Sequence, residues 1–107
     1  IEKKEIKKNI IGKPITIDSL IVAQNDLPKG LYWSFADLGP DWRLPSKDEL
    51  NLLYLNKDMI TNLGDYFYWS STGYGGFNGW GQDFFSGYQY GNFDEYGYGH
   101  VRAIRAF

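Results

Sequence analysis

Asp41-Trp42-Arg43-Leu44-Pro45-Ser46-Lys47-Asp48-Glu49-Leu50 contains the clearest helix start in the chain. Ser46 and Glu49 form a capping box, in which the serine hydroxyl accepts from the Glu49 amide and the Glu49 carboxylate reaches back to the Ser46 amide. Leu50, Leu53 and Tyr54 follow at the spacing of one helix face. The pattern predicts a helix over about Ser46–Asn56.

Short strand patterns lie on both sides of this helix. Pro14–Ile17 and Leu20–Ala23, separated by a two-residue turn, predict a β-hairpin. Tyr68–Thr72 and Val101–Phe107 are also typical of strands. A weak helical spacing runs to Leu38 and ends at a Gly-Pro pair. Together these elements predict an α+β domain with small antiparallel sheets and one or two short helices.

Residues 73–100, between the last two strands, have an unusual composition. They include no Lys, Arg, Leu, Ile, Val, Met or Pro, but nine Gly and ten aromatic residues. A low-complexity tract would explain this bias. However, Trp80, Gln82 and Phe84 alternate with Gly81, Asp83 and Phe85, and in a strand these two sets point to opposite faces. We therefore expect an ordered strand, with Trp80 and Phe84 in the core and the second set facing solvent.

Composition excludes several classes of protein. The 107 residues argue for one domain. The absence of cysteine excludes disulfide scaffolds and thiol chemistry, and the single histidine excludes a histidine-rich metal site. The net charge of -2 disfavours nucleic-acid binding. No apolar run approaches the roughly 18 residues of a membrane span, so no membrane insertion is expected.

The first residues alternate lysine with glutamate. This charged pattern fits a solvated lead-in from an upstream segment or the end of a helix. We expect residues 1–11 to be the lead-in or linker and residues 12–107 to form the domain.

Three blocks together resemble the Lcl-type domain family, named for the C-terminal domain of a bacterial collagen-like protein. The blocks are Asp41–Leu50, Tyr68–Thr72 and Val101–Phe107, and the resemblance runs from about Gly12 to Phe107. It implies a C-type lectin-like fold of the formylglycine-generating-enzyme type. This chain departs from the family pattern in one place, because only Tyr32–Leu38 is available for the longer helix that usually precedes the first block.

The segment 73–100 further resembles the variable region of proteins diversified by a retroelement. Such elements mutate template adenines, so asparagine codons become codons for Asp, Gly, Ser, Tyr, Phe and His, among others. Trp80, Gln82 and Gln89 are outside this set and would be fixed scaffold, whereas Glu95 would derive from a lysine codon. The resemblance implies that residues 73–100 form a variable binding region.

The candidate ligand-binding residues are those of segment 73–100 that are aromatic, small or polar, because binding loops combine rigid rings with adaptable hydrogen bonding. They are Tyr74, Phe77, Asn78, Gly81, Asp83, Phe85, Ser86, Tyr88, Tyr90, Asn92, Phe93, Asp94, Tyr96, Tyr98 and His100. The aromatic residues could instead be core, but the segment lacks the aliphatic neighbours that core rings usually have.

No catalytic or metal site is expected. Asp94 and Glu95 are adjacent, so in a strand they point to opposite faces and do not form an acid/base pair. The lone His100 has no nucleophile beside it in the sequence and is interpreted as a surface contact. Three arginines are interpreted as structural partners in ion pairs or hydrogen bonds, with a polar arginine surface as the alternative; they are Arg43, Arg102 and Arg105.

These observations predict a non-enzymatic binding domain without cofactor, whose variable region recognises a cell-surface or host protein, or a glycan. The alternative is a structural or assembly domain that buries its aromatic face against another subunit, so an oligomer stays open. The acidic segment disfavours nucleic acid as a ligand. The resemblance implies an extracellular, cell-surface or phage-tail location, as a module of a larger protein.

Overall fold

The computed structural model describes residues 3–28, 39–75, 78–91 and 99–106, and it shows a small α+β domain. The predicted class, with small antiparallel sheets and few helices, is confirmed. The predicted helical turn at Tyr32–Leu38 lies outside the described residues. The described elements are α1 (Lys3–Ile11), β1 (Ile15–Ile17), β2 (Leu20–Val22), α2 (Lys47–Leu55), a short 3-10 helix (Lys57–Met59), β3 (Phe67–Gly75), β4 (Asn78–Asp83), β5 (Gln89–Tyr90) and β6 (Ile104–Ala106).

The first sheet has the strand order β1-β2-β6 and brings the C-terminal strand beside the N-terminal hairpin. The predicted hairpin is confirmed, and Asp18 adopts a left-handed φ of 56° in its turn. β6 runs antiparallel to β2 and places Ile104 opposite Val22. The predicted strand Val101–Phe107 is described as far as residue 106, and within that part only Ile104–Ala106 is paired as a strand.

The second sheet has the order β3-β4-β5, and its strands together with the β4–β5 turn carry most of the candidate binding residues with described side chains. In the β3–β4 hairpin, Tyr68 lies opposite Gln82, and the register becomes irregular between Trp69 and Gly73. β5 follows after a tight turn and places Gln89 opposite Gln82. The predicted strand at Tyr68–Thr72 is confirmed and extended, since β3 is longer at both ends.

Helix α2 begins where the capping box predicts. The Glu49 amide donates to Ser46 Oγ at 3.2 Å, and the Ser46 amide donates to Glu49 Oε1 at 2.9 Å. The Lys47 amide donates to Thr72 Oγ1 at 2.9 Å and so attaches the first turn of α2 to β3. The helix therefore has a fixed position against the second sheet.

The main core combines residues of both sheets and α2. Its buried members are Ile17, Leu20, Val22, Leu50, Leu53, Ile60, Tyr68, Phe84 and Ile104. A second cluster consists of Ile10, Ala23, Trp42 and Ala103. Ala103 and Ile104 contact different clusters, which explains why neighbouring residues near β6 are both buried.

The second cluster shows that residues 3–11 follow the second interpretation of the charged pattern, a helix, rather than a solvated lead-in. Lys3–Ile11 is a helix, and its Ile10 is only 2% exposed. The chain at residues 24–25 also hydrogen-bonds to the end of α1, because the Gln24 and Asn25 amides donate to the Ile11 and Ile10 carbonyls, both at 3.0 Å. The apolar end of an otherwise charged helix thus joins the packed domain.

Candidate functional site

The sheet β3-β4-β5 presents one face to the core and one to the outside, as the two-residue period of strands requires. Tyr68 and Gln82 lie opposite each other on the inner face and are fully buried. The opposite side of the sheet is termed the outer face. Its members with described side chains are Phe67, Trp69, Gly81, Asp83, Tyr88 and Tyr90.

Aromatic rings form a nearly continuous row across the outer face. The Phe67 and Trp69 rings meet edge to face with centroids 5.1 Å apart. Phe67 lies 6.5 Å from Tyr90, and Tyr90 lies 6.3 Å from Tyr88. These separations are in the range in which aromatic pairs attract each other. The face therefore presents four rings, each contacting the next, of which Tyr88 and Tyr90 are exposed.

Gly81 lies beneath this row, which corrects the expectation that it faces solvent. It is buried, and a Cβ atom there would overlap the Phe67 ring and come within 2.8 Å of the Tyr68 carbonyl oxygen. The cause is that the Phe67 ring folds across β4 and occupies the space that a side chain would need. Gly81 thus allows Phe67 to pack against the sheet.

The two residues expected to anchor the core behave differently. Phe84 is fully buried against Tyr68 and Tyr54, with ring centroids at 4.7 and 5.5 Å, so its prediction is confirmed. Trp80 is only half-buried, and the Lys47 ammonium lies 3.9 Å from the centroid of its ring. The core placement of Trp80 is wrong because this part of β4 meets the first turn of α2 rather than aliphatic core residues.

The turn between β4 and β5 separates a buried ring from an exposed one. Asp83 Oδ1 accepts from the Phe85 amide at 2.8 Å, and the Asp83 carbonyl accepts from the Gly87 amide at 2.7 Å. Gly87 has a φ of 86°, a conformation that favours glycine. This turn directs Phe84 inward and leaves Phe85 73% exposed and Tyr88 66% exposed.

The side-chain amides of Gln82, which is buried, and Gln89, which is half-buried, attach β4 and β5 to helix α2. Gln82 Nε2 donates to Asn51 Oδ1 at 2.9 Å and to the Gly87 carbonyl at 3.0 Å. Gln89 Nε2 donates to the Lys47 carbonyl at 2.8 Å. Because both glutamines point away from the outer face, they position it without contributing to its surface.

Asp26 is the centre of a polar network beside the second sheet. Its carboxylate accepts from Arg102 Nε at 2.9 Å and from the Tyr68 hydroxyl at 2.8 Å, and it lies 3.2 Å from His100 Nδ1. Burial, followed by the negative charge of Asp26, raises the pKa of the Tyr68 hydroxyl well above its usual value. Tyr68 is therefore a permanent hydrogen-bond donor to Asp26.

His100 is held by this network rather than projecting as a simple surface contact. Its ring stacks on Tyr66 with centroids 3.9 Å apart and planes within 3° of parallel. Its amide donates to the Phe67 carbonyl at 2.7 Å, and its carbonyl accepts from the Trp69 amide at 3.0 Å. His100 thus fixes the chain to the edge of β3 directly beside the outer face.

The interpretation of the three arginines as structural partners is confirmed. Arg102 is buried and, besides binding Asp26, donates to the Ala23, Thr61 and Asn62 carbonyls. Arg105 pairs with Asp41 at 3.3 Å. Arg43 makes two short bonds to Glu49, which lower the pKa of the Glu49 carboxyl to about 2 and raise that of the guanidinium.

The described side chains cover about half of the predicted binding residues. Phe85, Tyr88 and Tyr90 are exposed, Ser86 Oγ accepts from the Tyr88 amide, and Asp83 is half-buried. Tyr74 lies in β3 and Asn78 in β4, but their side chains are outside the described set. The remaining candidates also lie outside the described residues, namely Phe77, Asn92, Phe93, Asp94, Tyr96 and Tyr98.

Three aromatic residues of this surface were missed by the sequence reasoning. Phe67 and Trp69 belong to the outer face, and Tyr66, which is 50% exposed, borders it beneath His100. They precede segment 73–100, so a boundary based on composition left them out. The available signal was the alternation of Phe67 and Trp69 with Tyr68 and Ser70, which puts rings on both faces of one strand.

The described part of the site has exposed aromatic rings and a polar network around Asp26. In the part of the chain that is described, no group of three or more His, Asp and Glu side chains is placed to hold a metal ion. No helix within the described ranges is long and apolar enough to cross a bilayer. No protein-family model matches the sequence, and no curated protein is significantly similar to it.

Proposed function

We propose that this domain is a non-enzymatic ligand-binding module whose outer face and β4–β5 turn recognise a surface protein or a glycan. The observation that carries the proposal is the exposure of Phe85 and Tyr88 on the turn that directly follows the fully buried Phe84. Monomeric proteins rarely leave contiguous apolar patches without a use. Rings on a fixed backbone also contribute contact area at low entropic cost.

The proposal includes a C-type lectin-like fold of the formylglycine-generating-enzyme type and diversification of segment 73–100 by a retroelement. Its support is the separation of roles along β4 and β5. Gln82 and Gln89, whose codons adenine mutation of an asparagine codon does not produce, form hydrogen bonds to α2. Phe85, Ser86 and Tyr88, which such mutation does produce, are exposed.

In this proposal the domain is displayed by a larger protein at a cell surface, outside the cell or on a phage tail. Its partner is a protein or glycan on another cell or host, and nucleic acid is disfavoured because segment 73–100 has acidic residues and no Lys or Arg. The target itself would differ between diversified variants, because each variant is selected for its own ligand.

The test is a screen of the domain against surface proteins and polysaccharides, followed by alanine variants of the exposed rings. Phe85→Ala, Tyr88→Ala and Tyr90→Ala should each be measured for binding and for unfolding. Loss of about 2 kcal/mol or more of binding free energy at two of the three, with the fold intact, supports the proposal. Leu55→Ala is a control, since Leu55 is an exposed apolar residue at the end of α2.

The competing class, an assembly domain, gives a different result in the same experiment. If the aromatic face is buried against another subunit, the ring variants dissociate an oligomer or lower its stability, as sedimentation and urea titration would show. A domain that stays monomeric with and without these substitutions contradicts that class.

Diversification has its own test in the DNA. A near-copy of the segment coding for residues 73–100 should lie beside a reverse transcriptase gene, with mismatches confined to adenines of the template. A near-copy with mismatches at all four bases would contradict the retroelement, while leaving the binding function to the variant experiments.

A further inference from the structure

The β4–β5 turn holds a carboxylate in a fixed position next to two exposed rings. Asp83 Oδ1 accepts from the Phe85 amide at 2.8 Å, while the Asp83 amide donates to the Tyr88 carbonyl at 2.9 Å. These bonds hold Asp83 in place, and its second carboxylate oxygen, Oδ2, takes no part in the hydrogen bonds of the turn. The turn therefore presents one negative charge in a defined place.

The position of Asp83 on the outer face puts it between aromatic residues. It lies opposite Phe67 on the β3 side and opposite Tyr88 on the β5 side. Phe85 and Tyr88 are the most exposed rings of the described segment. An electron-rich ring face and a carboxylate both attract cations, so these groups favour the same kind of ligand.

The composition of segment 73–100 favours a cation as well. Residues 73–100 include Asp83, Asp94 and Glu95 and have no Lys or Arg. Among the described residues, Lys57 is the base that reaches this turn, but it donates to the Phe84 carbonyl at 2.9 Å and lies 3.8 Å from Asp65. The Lys57 ammonium is thus paired with a backbone carbonyl and with Asp65, not with Asp83.

We infer that the turn formed by Asp83, Phe85 and Tyr88 binds a lysine or arginine side chain presented by the partner protein. The inference rests on the proposed function and names the kind of partner, a protein with a basic epitope. Ring–cation contacts and exposed ion pairs are individually weak. The cation site therefore selects the partner, while the remaining outer face supplies the apolar contact area for binding. The interaction should weaken as salt increases.

The experiment is an NMR titration of the ¹⁵N-labelled domain with a short, end-blocked peptide of alternating lysine and glycine. The comparison peptide has the same sequence with every lysine acetylated at Nζ, which removes the charge and keeps the chain length. We expect the lysine peptide to shift the amide signals of Phe85, Gly87 and Tyr88, less so at high salt. The acetylated peptide and a matching glutamate peptide should leave these signals in place.

Asp83→Asn removes the charge and keeps the turn, because the asparagine oxygen also accepts from the Phe85 amide. We expect it to weaken binding of the lysine peptide about two- to fivefold. Asp18→Asn is the matched control, since it removes one negative charge from an exposed, left-handed turn position in the other sheet. The control variant should bind like the unaltered domain.

Three results would overturn the inference. Equal shifts with the acetylated peptide would mean that the rings bind apolar chain alone, and equal losses in both asparagine variants would mean that only net charge matters. Concentration-dependent dimerisation through the turn would identify a second copy of this chain as the occupant. In each case the screen and the ring variants still decide the proposed function, which fails if fewer than two of Phe85→Ala, Tyr88→Ala and Tyr90→Ala show the expected loss of binding.

Discussion

Glu49 shows how one side chain can perform two structural tasks. Its Oε1 accepts from the Ser46 amide and closes the capping box, while both carboxylate oxygens bind Arg43. The bonds from Arg43 are the main reason that the pKa of Glu49 falls to about 2 from an ordinary 4.5. The charged form is thus the one that the folded domain prefers.

This preference predicts a pH dependence. Because the pKa is lower in the folded than in the unfolded chain, the stabilisation is complete above about pH 4.5 and is lost as pH falls towards 2. Glu49→Gln should cost about 1 kcal/mol at pH 7, since the pair is partly exposed, and should flatten the acid side of the stability curve. Urea titration over this pH range measures the unfolding free energy, with Glu5→Gln on α1 as the exposed control. If the stability curves of Glu49→Gln and the unaltered domain run parallel across this pH range, the Arg43–Glu49 pair does not have this role.

Gly81 and Gly73 form a matched pair for testing how closely the Phe67 ring packs on the backbone of β4. At Gly81 a Cβ would overlap Phe67 and approach the Tyr68 carbonyl, whereas at Gly73 it would meet no atom of the described residues within 4 Å, its chain neighbours apart. Gly81→Ala should therefore cost about 1–3 kcal/mol through overpacking, and Gly73→Ala less than about 0.5 kcal/mol. Equal unfolding free energies for the two variants would show that Phe67 moves aside freely.

At the scale of the element, the inner side of the β4–β5 hairpin is hydrogen-bonded to α2, whereas its turn exposes Phe85 and Tyr88 to solvent. The buried Gln82 and the half-buried Gln89 connect its strands to α2, and the Asp83–Gly87 bond closes its turn. Exposed positions between these bonds touch little of the scaffold. The hairpin can therefore accept different side chains on its surface while its backbone stays fixed.

Two adjacent phenylalanines test this division. Phe84→Ala should cost about 3–5 kcal/mol, because it removes a fully buried ring and leaves a cavity. Phe85→Ala should change stability by less than about 1 kcal/mol, because that ring is exposed. Denaturant titrations of the two variants give the comparison directly, and similar losses at both positions would reject the inward and outward assignment.

Local elements were the ones that the sequence could predict. The capping box set the start of α2 and the turn between Ile17 and Leu20 set the first hairpin, because both depend on interactions between near neighbours. The core placement of Trp80 was wrong because the two-residue period of a strand predicts the face on which a residue lies, but not which element packs against that face. Gly81 was misplaced because its environment is set by a ring from another strand.

At the scale of the whole molecule, contacts between distant residues hold the parts together, and these had no local signal. Asp26 joins Tyr68, His100 and Arg102, which lie 42, 74 and 76 residues further along the chain. Nothing in the spacing of a lone Asp26 in a loop predicts this role. The network connects the loop after β2, the second sheet and the chain leading into β6, beside the end of segment 73–100.

Arg102 and Arg105 are separated by three positions and test how much of the stability depends on this network. Arg102 is buried and satisfies Asp26 together with three carbonyl groups, so Arg102→Ala leaves a partly buried carboxylate and those carbonyls without their donor. We expect a loss of about 3–5 kcal/mol, as for other broken buried ion pairs. Arg105→Ala removes a pair with an exposed Asp41 and should cost about 1 kcal/mol or less. Urea titration followed by tryptophan fluorescence measures both, and equal costs would show that Asp26 is stabilised by its other partners alone.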